Sequence, residues 1–261
     1  MEAFNHWLNQ IQHNGQGVEL YNLVGTLCFV VLVISGIWYV WRQKLSFFKA
    51  MPIVVMACVF LIYAQHLMTW YRRDFALESY MGTANVGYAF TLLPLFCWLC
   101  AKAFSVSTAT VGELVAVTTL SWHVIGRSGC TFSGCCRGVD CPWGVYSVYA
   151  GGNTFPVCWL ESLIALGVLV FLLVRLFRRE RGVPDDGRAL PYALLLYGSG
   201  RFFSEFLRHH PQEDILFGFL PEFSVHALLM AMVGGILLYS VIRGHRPAVS
   251  SATAHTAVSQ E

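Results

Sequence analysis

Apolar residues in this chain run on in long blocks separated by short polar breaks. Seven such blocks occupy residues 20–41, 47–68, 86–104, 111–125, 155–177, 189–206 and 223–242. A helix needs about 20 apolar residues to cross a hydrocarbon core roughly 30 Å thick, and in lipid a helix satisfies its backbone polar groups internally. The pattern therefore predicts an all-α integral membrane protein, a bundle of about seven transmembrane helices. The fourth block is short and contains Glu113, and the sixth contains Arg201 and Glu205. These two are expected to be partly re-entrant or to line a wet cavity. No repeat with the period of a solenoid is visible, so residues 20–243 read as one membrane domain.

Composition agrees. Only 12% of the residues are charged and 56% are hydrophobic, whereas soluble domains carry about a quarter charged residues. A net charge of +2, without a concentrated basic patch, excludes a nucleic-acid surface. The segment 1–19 has no basic start, and the apolar run after it is too long for a leader peptide; it is read as a short extracytoplasmic segment. Residues 244–261 are small and polar, too poor in apolar surface to offset the entropy of ordering, and are read as a disordered cytoplasmic tail.

Basic residues beside the spans set the orientation. With the N-terminus outside, the inner segments hold Arg42, Lys44, Lys49, Lys102, Arg175, Arg178, Arg179, Arg181, Arg188, Arg243 and Arg246. The outer side and the sixth span hold Arg72, Arg73, Arg127, Arg137, Arg201 and Arg208. Eleven against six favours N-out and C-in. The segment 127–154 then faces outside as a cysteine-rich loop.

The intramembrane charges carry the candidate chemistry, because an ionised group in a span costs several kcal/mol and needs a partner or water. Arg201, Glu205 and Arg208 fall at i, i+4 and i+7, one face of a helix. The stripe reads either as a self-neutralising pair with Arg208 snorkelling outward, or as an anion site. In the second case Glu205 holds a guanidinium whose free edge takes a phosphate in a bidentate way. Upstream, HVIGRSGCTFSGCCRG places Arg127 in a glycine-rich stretch. That stretch reads either as a tight turn or as backbone approaching a ligand closely.

The order of residues through this region is more specific than either cluster. Gly126-Arg127, Gly129, Gly134 and Gly138 are followed by Pro142-Trp143-Gly144, Pro156, Glu161, Tyr197-Gly198, Arg201, Glu205 and Arg208, with Glu113 before them. Across about residues 80 to 240 this series resembles the prolipoprotein diacylglyceryl transferase family. That family's signature reads Gly-Arg-Ile-Gly-Asn-Phe-Ile-Asn-Gly-Glu-x-x-Gly, then Pro-Trp, then His-Pro-x-Gln-Leu-Tyr-Glu, then Tyr-Gly-x-x-Arg-x-x-x-Glu-x-x-Arg. Seven spans with the N-terminus outside agree with it. The resemblance implies a bacterial inner-membrane enzyme that moves a diacylglyceryl group from phosphatidylglycerol, or another anionic phospholipid, to the lipobox cysteine of a secreted lipoprotein precursor. It calls for no cofactor and no resident metal. Arg127 and Arg201 would clamp the phosphate, Glu205 and Arg208 would hold the clamp's shape, and Glu161 would orient or line the site. Tyr197, Gly129, Gly134, Gly138 and Ser133 would line the substrate region.

This sequence departs from the signature at several places. Cys130 and Ser133 stand for its two Asn, Cys135 for its Glu, and Phe155 and Cys158 for its His and Gln. The family's His-Gly pair would fall near Gly87-Tyr88, where no His is present. His66, His123 and His226 are the remaining candidate bases, against the ordinary structural role of a His near a span.

Cys130, Cys135, Cys136 and Cys141 cluster in the predicted outer loop. An oxidising compartment favours one or two disulfides there. A four-thiolate zinc site and an exchanging redox pair are the other readings. Cys28, Cys58, Cys97, Cys100 and Cys158 lie in apolar runs and are read as packing residues. Besides a transferase, the same residues fit a membrane thiol oxidoreductase or a silent lipid-binding relative.

Overall fold

The computed structural model describes residues 1–72, 86–210, 215–216 and 218–244, without the side chains of 65–72 and 86–88. The tail expected to be disordered and the side chain of His66 thus lie outside the described residues. Each of the seven apolar blocks is a helix: α2 (Gln16–Gln43), α3 (Phe47–Arg72), α4 (Val86–Phe104), α5 (Thr108–Ser133), α6 (Val157–Arg178), α7 (Ala189–Glu205) and α8 (Glu222–Gly244). A further helix, α1 (Glu2–His13), precedes them. A hairpin of β1 (Asp140–Ser147) and β2 (Gly152–Thr154) separates α5 from α6, and the short pair β3 (Ile215–Leu216) and β4 (Leu220–Pro221) separates α7 from α8. By length and apolar composition α2, α3 to Ala64, α6 and α8 each suffice to cross a membrane, with mean hydropathy between 2.1 and 2.5. Their outward faces remain apolar, as Leu27, Phe29, Ile34, Val59, Phe177 and Ile236 illustrate.

α5 is the axis of the bundle and packs against α2, α3, α4, α6 and α7. Its start is capped by Ser107, whose Oγ accepts the Thr110 amide at 3.1 Å, and it stops at Gly134, where φ is +71°. Only a residue without Cβ adopts that left-handed stop cheaply. α5 and α7, the two blocks that carry charges, are each one continuous helix.

The glycine-rich stretch read as a loop is the last two turns of α5. A Cβ on Gly129 there would lie 3.1 Å from the side chain of Val24 on α2, so its smallness serves helix crossing. The N-terminal segment is likewise structured. Asn5 Nδ2 donates to Gly144 O at 3.0 Å, the Val148 amide donates to Gln12 Oε1 at 2.7 Å, and Leu8 and Ile11 pack on Val145. α1 therefore braces the hairpin.

At the opposite end of the bundle, Glu113 accepts from Tyr39 Oη at 2.8 Å and pairs with Arg179. Arg42 donates to the Arg179 carbonyl at 2.8 Å. Glu113 thus ties α2, α5 and the end of α6 together, away from the cluster of Arg127, Arg201 and Arg208.

α7 and α8 cross at backbone contact. A Cβ on Gly234 would fall 2.4 Å from Leu195 N and 2.8 Å from Pro191 O, neither of which can move aside. Gly234→Ala is expected to cost about 1–3 kcal/mol by overpacking, read as a lower thermal midpoint in detergent. Gly167→Ala, where nothing lies within 4 Å, should leave the midpoint in place.

Candidate active site

The site is built where α5 ends, α6 begins and α7 ends. Arg127 lies six residues before the end of α5, Glu161 in the second turn of α6, and Arg201 and Glu205 in the last turn of α7. Arg208 follows three residues later and is fixed by strand-like pairing. Gly138 forms a bridge with Arg208, the Val139 amide donates to Leu207 O at 3.0 Å, and the His209 amide donates to Arg137 O at 3.2 Å. Gly138 is needed for that approach, since its Cβ would meet Phe155 O at 2.3 Å and Leu207 O at 3.0 Å. Gly134 is the α5 stop, and Ser133 Oγ donates back to Cys130 O at 3.4 Å. The predicted glycines and Ser133 thus shape the segment around the site.

Glu161, expected to orient or line the site, is the centre of the cluster. Its Oε2 pairs with Arg127 and with Arg201 Nη1, the latter at 2.9 Å, while its Oε1 accepts from Arg208 Nη2. Glu205 receives Arg201 Nη2 at 2.7 Å and lies 3.3 Å from Arg208 Nε. His210 Nε2 is hydrogen-bonded to the Glu205 carbonyl at 2.8 Å. Arg201 is therefore a fork with one prong on each carboxylate, which is the geometry a guanidinium permits and an ammonium does not. Both carboxylates are fully buried, and Arg127 and Arg201 are 8% and 7% exposed.

Three guanidiniums face two carboxylates, so the cluster keeps one uncompensated positive charge in a medium where charge is costly. Arg127 Nε is buried and has no hydrogen-bond partner among the described residues. Arg127 thus places Nη2 on Glu161 while its Nε–H has no partner among the described residues.

One helical turn deeper on both helices, His123 sits four residues before Arg127 and Tyr197 four before Arg201. Tyr197 Oη and His123 Nε2 share a hydrogen bond. Phe90 of α4 packs on both rings, with centroids 5.8 and 5.5 Å away. His123 is buried under this aromatic lid, so the structure assigns it to the floor of the site. His226 lies on α8, 3.9 Å from Glu222, outside the arginine cluster.

The cysteines are unpaired in the structure: Cys130 is on α5, Cys141 is buried on β1, and Cys135 and Cys136 lie between them. Cys158, read as a packing residue, joins Cys130 and Cys136, with the three sulfurs within 4.8 Å of one another. Arg127 Nη1 lies 3.9 Å from the sulfurs of both Cys130 and Cys136.

The family model described as prolipoprotein diacylglyceryl transferase matches residues 79–240. The phosphatidylglycerol--prolipoprotein diacylglyceryl transferase 2 of Clostridium perfringens (strain 13 / Type A) is 26% identical over 176 residues, 65% of this chain. The match spans 64% of that relative's length. The matched region contains α4 to α8 almost entire and every member of the arginine and carboxylate cluster. With more than half of its residues matched, this membrane protein belongs to the prolipoprotein diacylglyceryl transferase family.

Proposed function

We propose that the chain transfers a diacylglyceryl group from phosphatidylglycerol, or another anionic phospholipid, to the lipobox cysteine of a secreted lipoprotein precursor, at the outer side of a bacterial inner membrane. The observation that carries this reading is the buried cluster of three guanidiniums on two carboxylates, with the Nε–H of Arg127 left without a hydrogen-bond partner among the described residues. The name of the Clostridium relative and the residues shared with its family point to the same reaction.

In the reaction the acceptor sulfur forms a bond to the glyceryl carbon as the carbon–oxygen bond to phosphate breaks. The thiol proton is lost and glycerol phosphate leaves. Charge grows on the departing phosphate, so donors fixed before the reaction stabilise the transition state more than the ground state. Arg127 would donate to the phosphate from its unpartnered Nε–H. Arg201, Arg208, Glu161 and Glu205 would keep that donor aimed, since each guanidinium is held by carboxylates and not by solvent. Tyr197, tied to His123, would close the site from below, and Gly129, Gly134, Gly138 and Ser133 would shape its wall. The bias of basic residues toward the inner segments supports N-out and C-in, with the cluster on the outer side.

The test is direct. Purified protein, phosphatidylglycerol and a lipobox peptide should yield, by mass spectrometry, a peptide heavier by one diacylglyceryl group, together with glycerol phosphate. Arg127→Ala should abolish that product without loss of protein from the membrane. Absence of product from the parent protein with phosphatidylglycerol and every other anionic phospholipid would exclude the reaction.

A further inference from the structure

The thiols beside Arg127 have no part in the transfer just described. Three segments bring them together: the penultimate turn of α5 supplies Cys130, the loop after it Cys136, and the first turn of α6 Cys158. Cys130 and Cys158 are buried and Cys136 is half-buried. Their sulfurs lie within 4.8 Å of one another. A metal–thiolate bond of about 2.3 Å puts three sulfurs around one ion at mutual distances of about 4 Å, so an ion would draw the thiols in by less than about 1 Å.

We propose that Cys130, Cys136 and Cys158 form a three-coordinate thiolate site for Cu(I). The ligand set is all sulfur, which selects soft ions such as Cu(I) over hard ones. Two features distinguish Cu(I) from Zn(II). Zinc in a structural site takes four ligands, whereas the side of this cluster toward the bundle is closed by Arg127 Nη1, 3.9 Å from Cys130 and Cys136 Sγ. A guanidinium offers donors only and cannot ligate. Its charge also opposes a divalent ion more than a monovalent one, while three thiolates with Cu(I) retain negative charge for Arg127 to balance. Access is provided by Cys135, which is exposed and whose Sγ lies 3.7 Å from Cys136 Sγ. It offers a first thiol from which the ion passes inward by ligand exchange. Binding forms three S–Cu bonds without oxidation or reduction and displaces the protons of whichever thiols are still protonated. This site does not depend on the transferase reading.

The experiment uses the full chain, reduced and anaerobic in detergent, titrated with Cu(I) held by the chromophoric chelator bicinchoninate. The expected result is one Cu(I) withdrawn per chain, with Cys130, Cys136 and Cys158 protected from alkylation in peptide mass spectrometry. Disturbing even an outer partner of a metal ligand costs 10–100-fold in affinity, so Cys158→Ser should weaken binding by at least about 100-fold. Cys58→Ser, on α3, should bind as the parent does. Size-exclusion elution and thermal midpoint establish that Cys158→Ser is folded. Should it be misfolded, the alkylation footprint of the parent decides alone. No copper uptake, uptake that survives in Cys158→Ser, an unprotected triad, or tighter binding of Zn(II) with Cys135 required as a fourth ligand would each overturn the proposal.

Discussion

Glu161→Gln is expected to be the most damaging single change to the fold among the site residues, although it removes one charge and almost no volume. Glu161 is fully buried and faces Arg127, Arg201 and Arg208. Its neutralisation leaves three guanidiniums against Glu205 alone, raising the excess positive charge from one to two. Removing one partner of a buried ion pair costs about 3–5 kcal/mol, because the remaining charge stays buried without compensation. Here the remaining charges lie on α5, on α7 and just beyond it, so the cost falls on the packing of all three segments. That is a large share of the 5–15 kcal/mol by which most domains are stable. The measurement is membrane accumulation by immunoblot together with the thermal midpoint in detergent, beside Glu180→Gln at an exposed position. Both should fall clearly for Glu161→Gln and hold for Glu180→Gln. A Glu161→Gln protein that accumulates and melts like its parent would show that water, and not protein, neutralises the arginines.

The same centre shows what the sequence could and could not convey. Apolar run length is a local property, and the helices at all seven apolar blocks were legible from it. So was the Arg201–Glu205 pair, because residues four apart on a helix share a face. Glu161 lies 40 residues before Arg201 and 34 after Arg127, and no local pattern reveals that it receives both. Its place at the end of a family motif marked it as a site residue but not as the hub. Cys158 was hidden differently: embedded in an apolar run, it carries the signature of packing, and only the fold turns it toward Cys130 and Cys136. Glycine spacing is ambiguous by itself, because smallness serves helix crossing as well as ligand approach, and α2 approaches α5 at Gly129. α1 did leave a signal, since Phe4, Leu8 and Ile11 recur at helical spacing, and these residues face the hairpin. A polar segment next to a long apolar run simply draws less notice than the run.

Arg201→Lys should leave the fold in place and reduce transfer, which separates the work of geometry from that of charge. Arg201 touches Glu161 through Nη1 at 2.9 Å and Glu205 through Nη2 at 2.7 Å. Lysine keeps the positive charge, so the balance of the buried cluster is preserved and the penalty that Glu161→Gln incurs does not arise. An ammonium is a compact point charge, however, and cannot hold two carboxylates in one plane. One of them is released, and with Glu161 goes the aim of Arg127. Misplacing a reacting geometry by about 1 Å costs on the order of 10²-fold in rate, and loss of a preorganised donor costs about 10² to 10³. A fall of that order in kcat is expected for transfer from phosphatidylglycerol to a lipobox peptide, with the KM for the peptide and the membrane level of the protein little changed. Glu205→Gln should do less, because Glu161 still anchors both Arg201 and Arg208. If Arg201→Lys turns over fully while Glu205→Gln fails to accumulate, the arginines and carboxylates are a structural ion network and the phosphate is bound elsewhere.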